Sequence, residues 1–214
     1  MSLQENPQFG NNILNIQRHL DAAGVAYLNS INGTTPESLI ATMRKLSPLT
    51  RHLAYPDTVV SVGIGQGEEI EALHELFGRN GTKLIGIDLS TTAINSAIHR
   101  TQKNDIPMSP VMASATDIPL RDNSISGIVL SSILHEVYSY FPNGMVSWKK
   151  TITEAARVLS KDGILFLRDP ESPDAKDVKV EFLSDFSQDF YNYFRREFRT
   201  FRSLDRESMI NIHY

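Results

Sequence analysis

The stretch TVVSVGIGQGEEIE, residues 58–71, limits what this chain can fold into more than any other. It reads as a short buried strand, a glycine-rich turn and the first turn of a helix. Glycine at 63, 65 and 67 lets the backbone turn left-handed and lets a ligand lie close to the main chain. The helix behind the turn aims its unpaired N–H groups and positive dipole end at whatever sits there. Strand and helix patterns then alternate along the chain. The expected architecture is a parallel sheet with a small ligand at the carboxyl ends of its strands.

Strand one is expected over Thr58–Val62, and the next helix runs to about Leu76, with Ile70, Leu73, Leu76 and Phe77 on one side. Asn80-Gly81 is a turn. Strand two covers residues 83–87 and ends in Asp88. Ser90 caps a helix whose buried stripe is Ala93, Ile94, Ala97 and Ile98, broken at Ile106-Pro107. A short strand three is expected near residues 110–113, and strand four over Ile125–Ser131. A polar and aromatic segment, residues 135–140, follows. A helix over residues 146–159 then leads through Lys161-Asp162-Gly163 into strand five, residues 164–168.

The two ends differ from this core. Residues 12–31 carry apolar positions at mostly helical spacing, and Thr35-Pro36-Glu37 starts a second helix that ends before Pro48. Residues 1–56 are therefore expected as a helical N-terminal extension, covering a sheet edge or serving as a lid. Beyond the core of residues 57–170, Phe182, Phe186, Phe190, Phe194 and Phe198 recur at i, i+4 steps. That marks a long aromatic helix within a C-terminal segment, residues 171–214, suited to core packing, to capping the site or to forming a homodimer. Arg195, Arg196, Arg199, Arg202 and Arg206 cluster beside it, diluted by Glu197, Asp205 and Glu207.

Composition excludes several classes. There is no cysteine, which removes disulfides, thiolate zinc sites and a cysteine nucleophile. No metal site is expected. The net charge of −4 gives no general pull toward nucleic acid. No apolar run is long enough for a membrane span, and no secretory signal pattern opens the chain, so a cytoplasmic protein is expected.

Asp88 gives the glycine turn its chemical meaning. It ends strand two about twenty residues after the glycines, where a carboxylate can accept both hydroxyls of a ribose. The bland alternative is an acid that complements the start of the next helix. The G-x-G-x-G spacing differs from the G-x-G-x-x-G of dinucleotide sites and argues against a nicotinamide dehydrogenase.

Over residues 59–169 the sequence resembles the class I S-adenosylmethionine-dependent methyltransferases, most closely the small-molecule type called methyltransferase type 11. VVSVGIGQGEEI resembles motif I and IGIDLS motif II. SATDIPLRDNSISGIVLSSILHEV resembles the third and fourth motifs, and TEAARVLSKDGILFLRD the E-x-x-R-V-L-x-P-G-G segment with its strand. The resemblance implies a Rossmann-like α/β three-layer sandwich with S-adenosyl-L-methionine as cofactor. Gly63, Gly65 and Gly67 would carry its methionyl part, Asp88 its ribose and Leu89 its adenine. Ser114 and Ala115 would lie on the adenine side, and the Ser131 carbonyl would face the methionyl ammonium. Glu154 and Arg157 would tie their helix to its neighbours.

Three family carboxylates are serines here: Ser61 in strand one, Ser114 on the adenine side and Ser126 early in strand four. Lys161-Asp162 replaces the usual Pro-Gly, and little sequence after Asp169 is left for the family's last two strands. Either the sheet is shortened or the chain is a piece of a longer one. Methyl transfer from a sulfonium needs alignment and dryness more than fixed catalytic groups, with a base only for a protonated nucleophile. His135 is the candidate base, with Glu136 orienting it or serving itself, against a bland reading of His135 as a loop residue. Tyr138 and Tyr140 are expected to line a pocket; Arg168 and Asp169 face the site side and are expected to pair with each other, with a grip on a carboxylate-bearing substrate as the alternative. The expected function is methyl transfer to a small or medium acceptor at oxygen or nitrogen. An inactive cofactor-binding protein and an RNA-modifying methyltransferase are the alternatives.

Overall fold

A computed structural model describes residues 36–169. The expected helix over residues 12–31, the Thr35 cap, the aromatic helix and the arginine cluster lie outside the described residues. All of the described residues belong to the first of two compact units, Met1–Asp169 and Pro170–Tyr214.

Five parallel strands form one sheet in the order β3-β2-β1-β4-β5. They are β1 (Thr58–Val62), β2 (Lys83–Asp88), β3 (Met108–Met112), β4 (Ile125–Ser131) and β5 (Leu159–Arg168). The helices are α1 (Pro36–Leu46), α2 (Glu68–Phe77), α3 (Thr91–Lys103), α4 (Leu134–Tyr140) and α5 (Gly144–Val158). The expected Rossmann-like three-layer sandwich is what the chain forms.

Strand alternation sorts the core into two layers. Val59 and Val129 face one side, where Ile70, Leu73 and Phe77 of α2 and Ile94 and Ala97 of α3 close the layer. Val60, Val62, Ile128 and Leu130 face the other, against Leu134 and Val137 of α4 and Ala155 and Val158 of α5. Burial on both faces is why these strands read as continuous apolar runs.

Four details depart from the expectations. The segment at residues 135–140 belongs to a helix, α4, although Ile133 at its N-cap has no side-chain capping bond. Strand β3 starts at Met108, because α3 stops at Lys103 and Asp105 turns the chain at a φ of 53°. Strand β5 starts directly at Leu159. Its pairing jumps from Ile125↔Leu159 to Gly127↔Ile164, so the Lys161-Asp162-Gly163 turn is a bulge within the strand. Finally, α1 and the 3-10 turn after it do not simply cover an edge. Leu46, Leu49 and Leu53 join the cluster of Val59 and Val129 on the central strands. Gly127 leaves room for that packing, since a Cβ there would stand 2.7 Å from Leu53 Cδ1.

The chain runs outward from β1 through β2 to β3, then crosses to β4 on the other side of β1. The reversal lies between β1 and β4. In open α/β sheets the crevice at that point, beyond the carboxyl ends of the strands, is where ligands bind.

Candidate functional site

The turn after β1 is built as its glycines require. Gly63, Gly65 and Gly67 have φ of 76°, 50° and 83°. A Cβ on Gly63 would stand 2.7 Å from Ile133 Cδ1, and one on Gly67 would stand 2.9 Å from Ala97 Cα of α3. A Cβ on Gly65 would meet nothing within 4 Å. The outer two glycines are thus fixed by protein packing, and the middle one borders open space.

The turn is anchored on both flanks. Gly63 N donates to Ile87 O at 2.8 Å, and Gly67 N to Ile64 O at 2.8 Å. Arg100 of α3 donates from Nε to Glu71 at 2.9 Å and from Nη1 to Gln66 O at 3.3 Å, which holds α2 and the turn against α3. Gln66 Nε2 is the one buried side-chain nitrogen or oxygen without a hydrogen-bond partner among the described residues.

Asp88 reaches this turn from the end of β2. Its Oδ2 accepts from Gly65 N at 3.0 Å and its Oδ1 from Ser90 N at 2.9 Å. The Ser90 hydroxyl caps α3 by accepting from Ala93 N at 3.2 Å. Ser90 therefore does the capping, and Asp88 bridges two loops at the crevice. Leu89 beside it is half-buried.

Across the crevice, Ala113 N donates to Asp88 O at 3.0 Å and brings the next loop alongside. Ser114 Oγ accepts from Thr116 N at 3.1 Å and lies 2.8 Å from Thr116 Oγ1. The hydroxyl is thus tied into its own turn. Ala115 is buried, packed with Ile87 in the second core layer. Ser126 is remote from this end and accepts from Asp57 N at 3.1 Å. Glu154 and Arg157 hold the loop after Thr116 in place. Glu154 accepts from Ile118 N at 3.0 Å, and Arg157 donates to the carbonyls of Ile118 and Leu120 and to Asp122. The Arg157 guanidinium keeps the Glu154 carboxyl below the usual carboxylate range.

The end of β4 carries the candidate chemistry. Ser131 is half-buried and pairs in register with Arg168 of β5. Ser132 takes a φ of 55° and donates to Arg168 O at 2.7 Å, which turns the chain into α4. Asp169 does not pair with Arg168. Its Oδ2 accepts from Leu134 N at 2.8 Å, and its Oδ1 lies 2.7 Å from His135 Nδ1. Asp169 is therefore both the missing cap of α4 and the partner of His135. The His135 side chain is 47% exposed and that of Asp169 13%. Glu136, expected to orient the histidine, forms no such bond. Burial pushes its carboxyl above the ordinary range; His135 opposes this, while Asp88 and Asp169 push the same way.

Sequence reasoning missed two groups here. Asp169 was read as a partner of its sequence neighbour, and Glu69 was not considered. Glu69, in the first turn of α2, accepts from Ser61 Oγ at 2.9 Å. Burial raises its carboxyl. The Ser131 and Ser61 hydroxyls, and Lys45 and Arg168 further off, act against that rise. The doubled acid Glu68-Glu69 after the glycines, with a serine in place of the strand acid, was the available signal.

Open space over Gly65 and the Asp88 carboxylate that accepts from its N–H together suit a nucleoside-bearing cofactor. Residues 60–167, just over half of the chain, match the methyltransferase domain family. Among solved structures, the chain is similar to the BH2331 protein of Bacillus halodurans. The TM-score is 0.53 at 23% identity, covering 73% of this chain and 59% of that one. It is also similar to YcgJ of Bacillus subtilis, with a TM-score of 0.52 at 20% identity over 72% and 58% of the two chains. The PH0226 protein of Pyrococcus horikoshii gives 0.50 at 19% identity over 64% and 55%. The chain thus spans under two thirds of the length of these proteins. A search of the curated proteins found no match. No helix among the described residues is long and apolar enough to cross a membrane. On its sheet, its glycine turn and its family match, the chain belongs to the class I methyltransferase domains that use S-adenosyl-L-methionine.

Proposed function

We propose that this protein transfers a methyl group from S-adenosyl-L-methionine to a small or medium acceptor at oxygen or nitrogen. His135 acts as the base and Asp169 as the residue that positions it. The observation that carries this reading is the 2.7 Å contact between His135 Nδ1 and Asp169 Oδ1 at the carboxyl end of the sheet. Donation from Nδ1 to the carboxylate leaves the lone pair on Nε2, the arrangement a general base needs. Asp169 also anchors the start of α4, so the imidazole is held through its backbone and its ring together.

When bound, the cofactor supplies an electrophilic methyl on a sulfonium with a neutral thioether as leaving group. The chain's own residues do the rest. Gly63, Gly65 and Gly67 give the methionyl part access to the backbone, and Asp88 holds the ribose. Leu89, Ser114 and Ala115 border the adenine, and the Ser131 carbonyl faces the methionyl ammonium. His135 Nε2 would take the proton of an acceptor hydroxyl or amine placed in line with the bound cofactor's methyl group. Glu136, a carboxyl raised by burial next to Asp88, lines the acceptor side. The proposed boundaries are a helical extension over residues 1–56, a cofactor-binding core over residues 57–170 and a C-terminal segment over residues 171–214. Homodimer formation through that last segment and a cytoplasmic location belong to the same proposal.

A second reading, cofactor binding without turnover, draws on Ser114, whose hydroxyl is spent within its own turn. The arginine cluster lies outside the described residues and lends no weight to an RNA acceptor. The test is a panel of phenols, alcohols and amines with the cofactor, reading S-adenosylhomocysteine formation. Turnover on a member of the panel, lost in His135→Ala at unchanged cofactor affinity, is expected. Cofactor binding with no turnover on any acceptor supports the second reading.

A further inference from the structure

The acid that the resemblance places in strand one is absent, yet a carboxylate lies within hydrogen-bond distance of Ser61, the serine in its place. Ser61 of β1 is fully buried, and its hydroxyl donates to Glu69 Oε2 at 2.9 Å. Glu69 comes from the first turn of α2, just past Gly67. The Ser131 hydroxyl, at the end of β4, also acts on it. The carboxylate is therefore gathered between the carboxyl ends of β1 and β4, at the switch point of the sheet.

Its surroundings are incomplete. Glu69 is half-buried, so its carboxylate is partly desolvated without being sealed off. The ion pairs of the described residues are Arg100–Glu71, His135–Asp169, Arg157–Asp122 and Arg157–Glu154, and none includes Glu69. Lys45 of α1 and Arg168 of β5 act on it only as more distant charges, and both are exposed. A carboxylate withdrawn from water, whose donors among the described residues are the Ser61 and Ser131 hydroxyls, is costly, and a cation delivered to it recovers much of that cost. Resting on the cofactor reading above, we propose that Glu69 has taken over from the missing strand acid. It binds the ammonium of the cofactor's methionyl group, and Ser61 serves as the donor that aims it. The charge comes from the helix instead of the strand.

The experiment is calorimetric titration of the full chain with two ligands. S-Adenosylhomocysteine carries the ammonium. 5′-Methylthioadenosine has the same nucleoside and thioether but no amino-acid group. Glu69→Gln is expected to weaken S-adenosylhomocysteine at least about tenfold, as suits one charge-assisted hydrogen bond, and to leave 5′-methylthioadenosine unchanged. The ligand-free melting temperature is expected to hold or rise, whereas a carboxylate needed only for structure would lower it. Placing the acid back in the strand, in the double variant Ser61→Asp with Glu69→Gln, is expected to recover most of the lost affinity. Unchanged S-adenosylhomocysteine affinity in Glu69→Gln, equal loss of both ligands, or a double variant no better than the single one overturns the proposal. If the unsubstituted chain binds neither ligand, the cofactor reading itself falls, and this proposal with it.

Discussion

Asp169 shows how much one side chain can decide at this site. Its two oxygens hold two neighbours, Leu134 N at the start of α4 and His135 Nδ1 one residue later. Asp169→Asn keeps an acceptor for the amide but loses the anion that steadies an imidazolium. We expect kcat to fall by about 10²-fold or more, with cofactor affinity unchanged. Single-turnover rates beside a binding titration check this; a kcat near that of the unsubstituted chain removes Asp169 from the machinery. Asp88 was legible in the sequence because its role depends on local order, a strand end at a fixed distance past a glycine turn. Asp169 was misread for an equally physical reason. Asp169 stands just past the end of β5, and its carboxylate is taken up by the start of α4, a contact across more than thirty residues that local order does not announce. Glu69 was hidden because an acid in a helix's first turn is already accounted for by the helix dipole.

The glycine turn and the helices around it carry the next set of constraints. Gly67 and Gly65 both have positive φ, but their surroundings differ. A methyl on Gly67 meets the backbone of α3 at 2.9 Å, so Gly67→Ala must separate α2 from α3 or distort the turn. A loss of about 1–3 kcal/mol or more is expected, read as a melting temperature lower by several degrees. Gly65→Ala meets nothing and bears only the left-handed strain of about 1–2 kcal/mol. Its larger effect is expected on ligand affinity, because on the proposed cofactor seat the methyl would project toward the ligand. Thermal melts and titrations of the two variants check this contrast; equal behaviour would show that Gly65 does not border the ligand. Helix α4 was not legible at all. Its seven residues are too few for an apolar period beyond the pair Leu134 and Val137, and its capping acceptor, Asp169, lies just past β5, more than thirty residues later. Helix α3, by contrast, has Ser90 as a local cap and was expected where it stands.

The whole described unit is a sheet whose carboxyl end gathers acids: Asp88, Glu69, Glu136 and Asp169. Two of them, Glu69 and Glu136, are raised above 4.5 by burial. The folded chain therefore holds their protons more tightly than the unfolded chain does. Their favourable contribution is fully present below the unfolded value near 4.5 and is lost as pH rises through the higher folded values. Lys45 and Arg168 near Glu69, and His135 near Glu136, temper this loss. Glu69→Gln removes one source, so its melting temperature relative to the unsubstituted chain is expected to climb as pH is raised from about 4.5 to neutrality. Melting curves at a series of pH values, without ligand, test this; a difference that is flat with pH means that Glu69 titrates alike in both states. Glu154 runs the other way. Its carboxyl is lowered by Arg157, so its contribution is present above the unfolded value and is lost as pH falls through the folded one.

At this scale the sheet was legible because both-face burial and the strand–helix alternation leave strong periodic signals. The bulge in β5, where residues 160–163 stand against Ser126, was legible only as a turn, since strand pairing is a long-range property.

The most direct test is calorimetric titration of the unsubstituted chain and of Asp88→Ala with S-adenosylmethionine. Saturable one-to-one binding by the first, weakened about tenfold or more in the second, is the expected result for a carboxylate that bonds ligand hydroxyls. No binding by the unsubstituted chain, or equal affinity in the two, would contradict a cofactor seated on the glycine turn and Asp88.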